Sequence, residues 1–128
     1  MLSLPGSVRI FLCVPVADMR RSFDGLARMV EEFLGGDPLS GHLFVFCNRR
    51  GDRLKILYWD HDGLAIWYKR LEEGTFQFPE QEGPSVRVSA AELAMILEGV
   101  ELRGVKKRRR YETNIYTGPN LFSPRESV

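Results

Sequence analysis

Carboxylates and histidines that could hold a divalent cation meet at one point of the sequence. Asp60, His61 and Asp62 are consecutive in a predicted hairpin turn, where all three side chains could reach a metal ion. Aspartate is also common in turns because its side chain hydrogen-bonds nearby backbone, and this is the simpler explanation. The sequence lacks the spacings typical of zinc hydrolases, phosphate-binding glycine loops and the common restriction-type nuclease core. A divalent-metal nuclease is therefore the least favoured of three hypotheses, and we expect no catalytic residue, metal or cofactor.

The two cysteines are the next candidates for chemistry. Cys13 and Cys47 lie in apolar stretches typical of strands, where a thiol is usually a small core residue. A disulfide between them stays open as an alternative. No serine lies in the G-x-S-x-G pattern of a nucleophile elbow. Neither residue type therefore indicates nucleophilic catalysis.

Positive charge is distributed unevenly along the chain. The formal net charge is +1 over 128 residues, but residues 103–128 carry seven basic side chains against two acidic ones. The run KKRRR at 106–110 could contact phosphates and release counterions, or could simply solubilise the tail. Other basic residues lie at a predicted turn and along predicted strands. The residues predicted to contact nucleic acid are Arg49, Arg50, Arg53, Lys55, Lys69, Arg70, Lys106, Lys107, Arg108, Arg109 and Arg110.

Two further arginines lie where a helix is predicted to begin. Arg20 and Arg21 interact unfavourably with the helix dipole at that end. Their presence there indicates a role other than helix formation, such as binding an anionic partner. An ion pair from Arg20 to Asp24, four residues on, is the alternative. We predict that Arg20 and Arg21 bind a protein partner.

Aromatic side chains adjoin the basic residues of the predicted strands. Successive strand residues point to opposite faces, so Tyr58 and Trp59 are separated by the sheet, as are Trp67 and Tyr68. One aromatic of each pair packs under a helix or lies open as a binding surface. We include Trp59 and Trp67 in the predicted partner-binding set.

Hydrophobic periodicity and turn residues predict a single α+β domain. An amphipathic helix is predicted over 19–34 with Asp18 as its N-cap, and a second over 90–98 opened by a Ser89/Glu92 capping box. Strands are predicted at 8–14, 43–47, 54–59 and 64–69, with a fifth at 76–78 and an extended stretch at 86–88. The Asp62-Gly63 pair is expected to form the second hairpin turn.

These elements form a small antiparallel sheet of four or five strands, a meander, packed by one long helix and one shorter helix. We expect residues 1–103 to be one compact domain and residues 104–128 to be a flexible basic tail. The longest apolar stretch is too short to span a membrane, and no signal peptide is evident, which predicts a cytoplasmic protein.

Several motifs together resemble those of a known family, the accessory protein called TnpB of bacterial insertion sequences of the IS-sixty-six type. The motifs are Leu4-Pro5-Gly6, Asp18-Met19-Arg20-Arg21, Phe23-Asp24-Gly25-Leu26, Asp37-Pro38, Ser40-Gly41-His42-Leu43-Phe44-Val45-Phe46, Arg49-Arg50-Gly51-Asp52-Arg53-Leu54-Lys55, Trp59-Asp60, Asp62-Gly63, Trp67-Tyr68-Lys69-Arg70-Leu71-Glu72 and Gly74-Thr75-Phe76. The similarity runs from about residue 2 to residue 99.

The resemblance implies a non-catalytic role in DNA transposition beside a separate transposase. It leaves two hypotheses ahead of the nuclease. In the first, the chain binds DNA through its basic residues. In the second, it is an interaction module that binds the transposase or a second copy of itself.

Overall fold

The computed structural model describes residues 6–80 and 82–99, and its centre is a five-stranded sheet. The strands are β1 (Ile10–Cys13), β2 (Leu43–Cys47), β3 (Arg53–Trp59), β4 (Leu64–Arg70) and β5 (Ser85–Val88). Their order across the sheet is β4-β3-β2-β1-β5, so β4 and β5 are the edges. The predicted α+β class and the meander of β2, β3 and β4 are confirmed. No helix in this described part of the chain is both long and apolar enough to cross a membrane.

One pairing departs from the antiparallel sheet that the sequence predicted. Strand β1 runs parallel to β2, with Ile10 opposite Leu43, whereas β1–β5, β2–β3 and β3–β4 are antiparallel. The segment between β1 and β2 contains helix α1 (Phe23–Met29), which crosses one face of the sheet. A parallel pair needs such a crossover because a tight hairpin can only reverse the chain.

The sheet is covered on both faces, so the core has two halves. On one face, Leu26, Met29 and Val30 of the crossover pack on Phe44, Phe46 and Leu57. On the other face, helix α2 (Ala90–Glu98) buries Leu93, Ile96 and Leu97 against side chains that include Ile10, Val45 and Ile56. Successive side chains of a strand point to opposite faces of the sheet, so each strand contributes residues to both halves of the core.

The first helix begins four residues later than predicted and changes geometry before it ends. Helix α1 starts at Phe23 with Ser22 as N-cap, and Val30–Leu34 continue it as a π-helix. Asp18 is therefore not the N-cap; its carboxylate accepts the Arg20 backbone N–H at 2.9 Å instead. Gly35, at φ 64°, ends the π-helical segment.

Helix α2 agrees with its prediction at both ends. The Ser89 hydroxyl accepts the Glu92 N–H at 3.0 Å, and the Glu92 carboxylate accepts the Ser89 N–H at 2.8 Å. Gly99, at φ 89°, ends the helix in the left-handed conformation. The free backbone groups at each end of α2 are thus paired by capping motifs that can be recognised in the sequence.

Two predicted local features differ in detail. The fifth strand is Ser85–Val88, while residues 76–78 form no strand and Phe76 packs instead into the α2 side of the core. The predicted turn between β3 and β4 is present, closed by the Asp60 N–H donating to the Gly63 carbonyl at 2.7 Å. Its left-handed residue is His61, at φ 67°, rather than Gly63.

Candidate functional site: an arginine-lined groove

A groove of about 710 Å³ opens where β1 and β2 end and β3 begins. Three segments form it: the stretch after β1, the end of the first helical segment, and the turn between β2 and β3. The lining residues are Pro15, Val16, Ala17, Asp18, Met19, Arg20, Arg21, Met29, Phe33, Asn48, Arg49, Arg50, Asp52 and Arg53. We call this site the arginine groove, because five arginines line it against two aspartates.

The turn between β2 and β3 is held by its own hydrogen bonds. The Asn48 carbonyl accepts the Gly51 N–H at 3.1 Å, and the Asn48 side-chain oxygen accepts the Arg53 N–H at 3.0 Å. The Asn48 amide group donates to the Asp52 carboxylate at 2.8 Å, which lowers the pKa of Asp52. One asparagine side chain therefore fixes both ends of the turn.

The same turn is also fixed from outside by the chain that follows β4. The Phe76 N–H donates to the Gly51 carbonyl, and the Leu71 N–H donates to the Asp52 carbonyl, both at 2.8 Å. Arg49 and Arg50 lie at the exposed tip. Within residues 6–80 and 82–99, neither guanidinium makes a hydrogen bond or an ion pair, although the charge of Arg50 helps to lower the pKa of Asp52. The turn therefore presents two guanidiniums that are uncommitted in the sense that no hydrogen bond or ion pair holds them.

Gly51 is a position at which this turn is sensitive to substitution. Its φ is 79°, and an added Cβ would lie 3.2 Å from Thr75 Cβ. A Gly51→Ala change should therefore lower the free energy of unfolding by about 1–2 kcal/mol, measured by urea denaturation, because alanine is strained at positive φ.

Gly63→Ala is the matched control in the neighbouring turn. Gly63 has no positive φ, and an added Cβ would meet nothing within 4 Å. This substitution should leave stability unchanged or raise it slightly. Equal destabilisation by both changes would contradict the assignment of strain to Gly51.

The opposite wall of the groove is a turn at residues 18–21. Its backbone closes through the Arg21 N–H, which donates to the Asp18 carbonyl at 2.9 Å. The Arg20 guanidinium forms an ion pair with the Asp18 carboxylate at 2.6 Å, and these hydrogen bonds lower the pKa of Asp18 to about 2. The partner of Arg20 is thus Asp18 and not Asp24, and the charge of Arg20 is partly compensated.

Lys55 holds this wall in place from inside the molecule. Its side chain is 7% exposed, and its ammonium donates to the carbonyls of Met19 and Arg21, each at 2.8 Å. The same ammonium lies 4.7 Å from the centre of the Tyr68 ring, a cation–π contact. Lys55 was predicted to contact phosphate. Its ammonium is instead buried and already bonded to two backbone carbonyls, so its role in the structure is to hold the wall of the groove.

The floor of the groove is apolar and partly open. The floor is the set of apolar lining residues that includes Val16, which is 47% exposed, Phe33, which is 45% exposed, and Met29, which is buried. Phe33 belongs to the π-helical segment, a rare geometry that is frequent at functional sites. The groove thus combines an apolar floor with a cationic rim.

The remaining predicted site residues are not gathered in the groove. Arg70 lies opposite Arg53 in the β3–β4 pair, and its guanidinium forms an ion pair with Glu72 at 3.0 Å.

The two predicted tryptophans lie on opposite faces of the sheet. Trp67 packs on the α2 side, whereas Trp59 lies on the α1 side, two residues after Leu57. By the same alternation Lys69 shares the face of Trp67. The predicted aromatic pair therefore cannot act as one surface, and the run 106–110 lies outside the described residues.

The candidates for other chemistry are separate from this groove. Within the described residues, no three His, Cys, Asp or Glu side chains are grouped to hold a metal ion. Cys13 and Cys47 are free thiols, and burial raises the pKa of each to about 11. Both thiols are therefore protonated at neutral pH, which does not favour nucleophilic attack.

The arginines of the groove were predicted as site residues, but as parts of two separate surfaces. The structure places Arg20 and Arg21 in the lining of one groove together with Arg49, Arg50 and Arg53. The apolar floor and the role of Lys55 were missed, since both depend on contacts between distant segments. The sequence gives only a weak indication of the floor, because Phe33 occupies an apolar position that is typical of the core-facing side of an amphipathic helix.

Comparisons with known proteins identify relatives across most of the chain. A family model described as "IS66 Orf2 like protein" matches residues 8–107. Uncharacterized protein y4hO of Sinorhizobium fredii (strain NBRC 101917 / NGR234) is 39% identical over 103 residues, covering 80% of this chain and 90% of its own. Uncharacterized protein y4jC of the same strain is 35% identical over 101 residues, covering 79% of this chain and 86% of its own. No solved structure matches.

Proposed function

The chain belongs to the IS66 Orf2-like family of transposition-associated accessory proteins, as its motifs predicted, and on that premise we propose that it binds DNA through the arginine groove. The observation that carries the proposal is the pair of uncommitted guanidiniums, Arg49 and Arg50, on a turn fixed by hydrogen bonds from two sides. In this role the protein is a non-catalytic, cytoplasmic accessory factor, and the strand-transfer chemistry belongs to the transposase.

Arginine suits this role better than lysine would. A guanidinium presents a planar set of donors that matches two phosphate oxygens at once, and it is less strongly hydrated than an ammonium. Because the turn is already ordered, little backbone entropy is lost when it binds. Arg53 extends the cationic rim, and its guanidinium is oriented by the Tyr68 hydroxyl at 3.3 Å.

We further propose that the basic run at 106–110 acts as a second, non-specific contact. Five consecutive cations would release counterions from the DNA backbone. The run supplies affinity without sequence preference in this scheme, while the groove fixes the orientation of the bound DNA.

The test is a gel-shift titration with duplex DNA from the terminal repeats of the element. The Arg49→Ala/Arg50→Ala chain should bind at least about 10-fold more weakly than the wild type at low salt. The slope of log affinity against log salt should become shallower by about 2, since two phosphate contacts are lost.

A double substitution at the other end of the sheet provides the charge-matched control. Arg9→Ala/Arg87→Ala removes the same charge from residues that do not line the groove. If both double variants lose affinity equally, binding reflects overall charge and the groove has no special role. An absence of binding by the wild type at low salt would remove the DNA role altogether.

Binding to the transposase, or to a second copy of this chain, is the alternative function, and the sheet edge favours it. Strand β4 lies at the edge of the described sheet, where β3 is its strand partner, and sheet edges are common sites of strand addition. Co-purification with the transposase that survives nuclease treatment would support this alternative. A chain that elutes as a monomer and captures no transposase would contradict it.

A further inference from the structure

The arginine groove contains more than phosphate binding requires. Contacts to the outside of a duplex need cations and hydrogen-bond donors, because the paired bases are stacked away from the backbone. The floor of this groove instead offers Val16, Met29 and Phe33. An apolar floor beneath a cationic rim fits a ligand that has both charged and flat apolar parts.

Phe33 is held in a position suited to contact with such a ligand. The π-helical segment Val30–Leu34 follows directly on α1, and its Phe33 lines the groove together with Met29, the last residue of α1. Gly35 ends the segment in the left-handed conformation, which fixes its last turn. A phenylalanine that is 45% exposed gains from burial against a ligand face, since part of its ring is hydrated in the free protein.

Single-stranded nucleic acid has this combination of properties. Proteins that bind it use a positively charged groove along the backbone together with aromatic side chains on which bases stack. Guanidinium planes also stack on bases, so Arg49 and Arg50 could contact both phosphate and base. An acidic protein segment would match the charge, but its carboxylate side chains offer no flat apolar face to Phe33, whereas every nucleotide carries both a phosphate and a base.

We propose that the arginine groove binds single-stranded DNA, with phosphates on the arginine rim and an unstacked base against Phe33. This inference rests on the proposed DNA-binding function and names the form of DNA that the groove receives. A strand without a complement exposes the base faces that a duplex hides.

The experiment compares fluorescence anisotropy of the full chain with three labelled probes of equal length: a thymidine oligonucleotide, a duplex, and an abasic oligonucleotide. The wild type should bind the thymidine probe more tightly than the duplex. Phe33→Ala should weaken binding of the thymidine probe by about 5- to 100-fold. The same change should leave duplex and abasic binding unaltered, because neither offers a free base.

Phe23→Ala is the matched control on the same helical segment. Phe23 is also 45% exposed, but it does not line the groove. Its replacement should change none of the three affinities. An equal loss in both phenylalanine variants would contradict stacking at Phe33.

The outcomes separate this inference from the function on which it rests. Equal affinity for thymidine and duplex probes, with no effect of Phe33→Ala, would overturn the single-strand assignment and leave DNA binding intact. Failure to bind any probe would overturn both. An acidic, apolar peptide that displaces the thymidine probe at lower concentration than unlabelled oligonucleotide would reassign the groove to a protein segment.

Discussion

A Lys55→Met chain should be less stable than the wild type by about 2–3 kcal/mol. Methionine keeps the apolar stem in the core but removes the ammonium that donates to the carbonyls of Met19 and Arg21. Net contributions of hydrogen bonds from charged donors are about 1.5–3 kcal/mol, and relief of the buried charge offsets part of this loss. The difference is measured as a shift in the urea midpoint at constant slope.

The same variant should also loosen the wall of the arginine groove. The Arg21 amide, which donates to the Asp18 carbonyl, should exchange its hydrogen faster than in the wild type. DNA affinity should also fall, since the turn that carries Arg20 and Arg21 is no longer held in place.

Arg53→Met is the contrasting change. It removes a partly exposed cation of the rim, so it should lower affinity while stability changes by no more than about 0.5 kcal/mol. A Lys55→Met chain with unchanged Arg21 exchange would show that Lys55 does not support the wall.

Replacing Phe46 with alanine should have the largest effect on stability of the changes considered, about 3–5 kcal/mol. Phe46 is fully buried in β2 and packs under the first helical segment, in the same cluster as Leu26, Met29 and Leu57. Truncation leaves a cavity between helix and sheet that the surrounding strands cannot close. Thermal and urea unfolding should both report the loss.

Two substitutions calibrate this prediction. Phe46→Leu keeps most of the volume and should cost markedly less than Phe46→Ala. Phe33→Ala makes the same chemical change at a half-exposed position of the groove floor and should cost less than about 1 kcal/mol. If Phe33→Ala destabilises the chain as much as Phe46→Ala, Phe33 is a core residue and its availability for a ligand is refuted.

The features predicted correctly from the sequence are those with local signals. Helix α2 is opened by two side chains three residues apart, and the meander β2–β3–β4 follows from alternation between short turns. The parallel pairing of β1 with β2 has no such signal. It follows from a crossover of almost thirty residues, whose path depends on how α1 packs on the sheet.

The late start of the first helix likewise depends on a contact between distant segments, which involves Lys55. Apolar spacing supports a helix from residue 19, but residues 18–21 form a turn that is held both by local bonds to Asp18 and by a distant side chain. Lys55, 36 residues away from Met19 and 34 from Arg21, occupies the carbonyls that the first helical turn would use. The arginines of the groove could thus be predicted from the sequence, but their common location and the apolar floor between them could not.

The crossover has a consequence for folding. The two cationic walls of the groove, at 18–21 and 48–53, lie on either side of α1 and β2 in the sequence and meet only when β1 has paired with β2. The closing of that long loop costs chain entropy, which the native contacts must offset before the groove can form. A nascent chain released before β3 lacks Arg53 of the second wall and Lys55, whose ammonium holds the first wall. A ligand of the groove binds only the native state, and mass action therefore couples its concentration to the folded fraction of the protein.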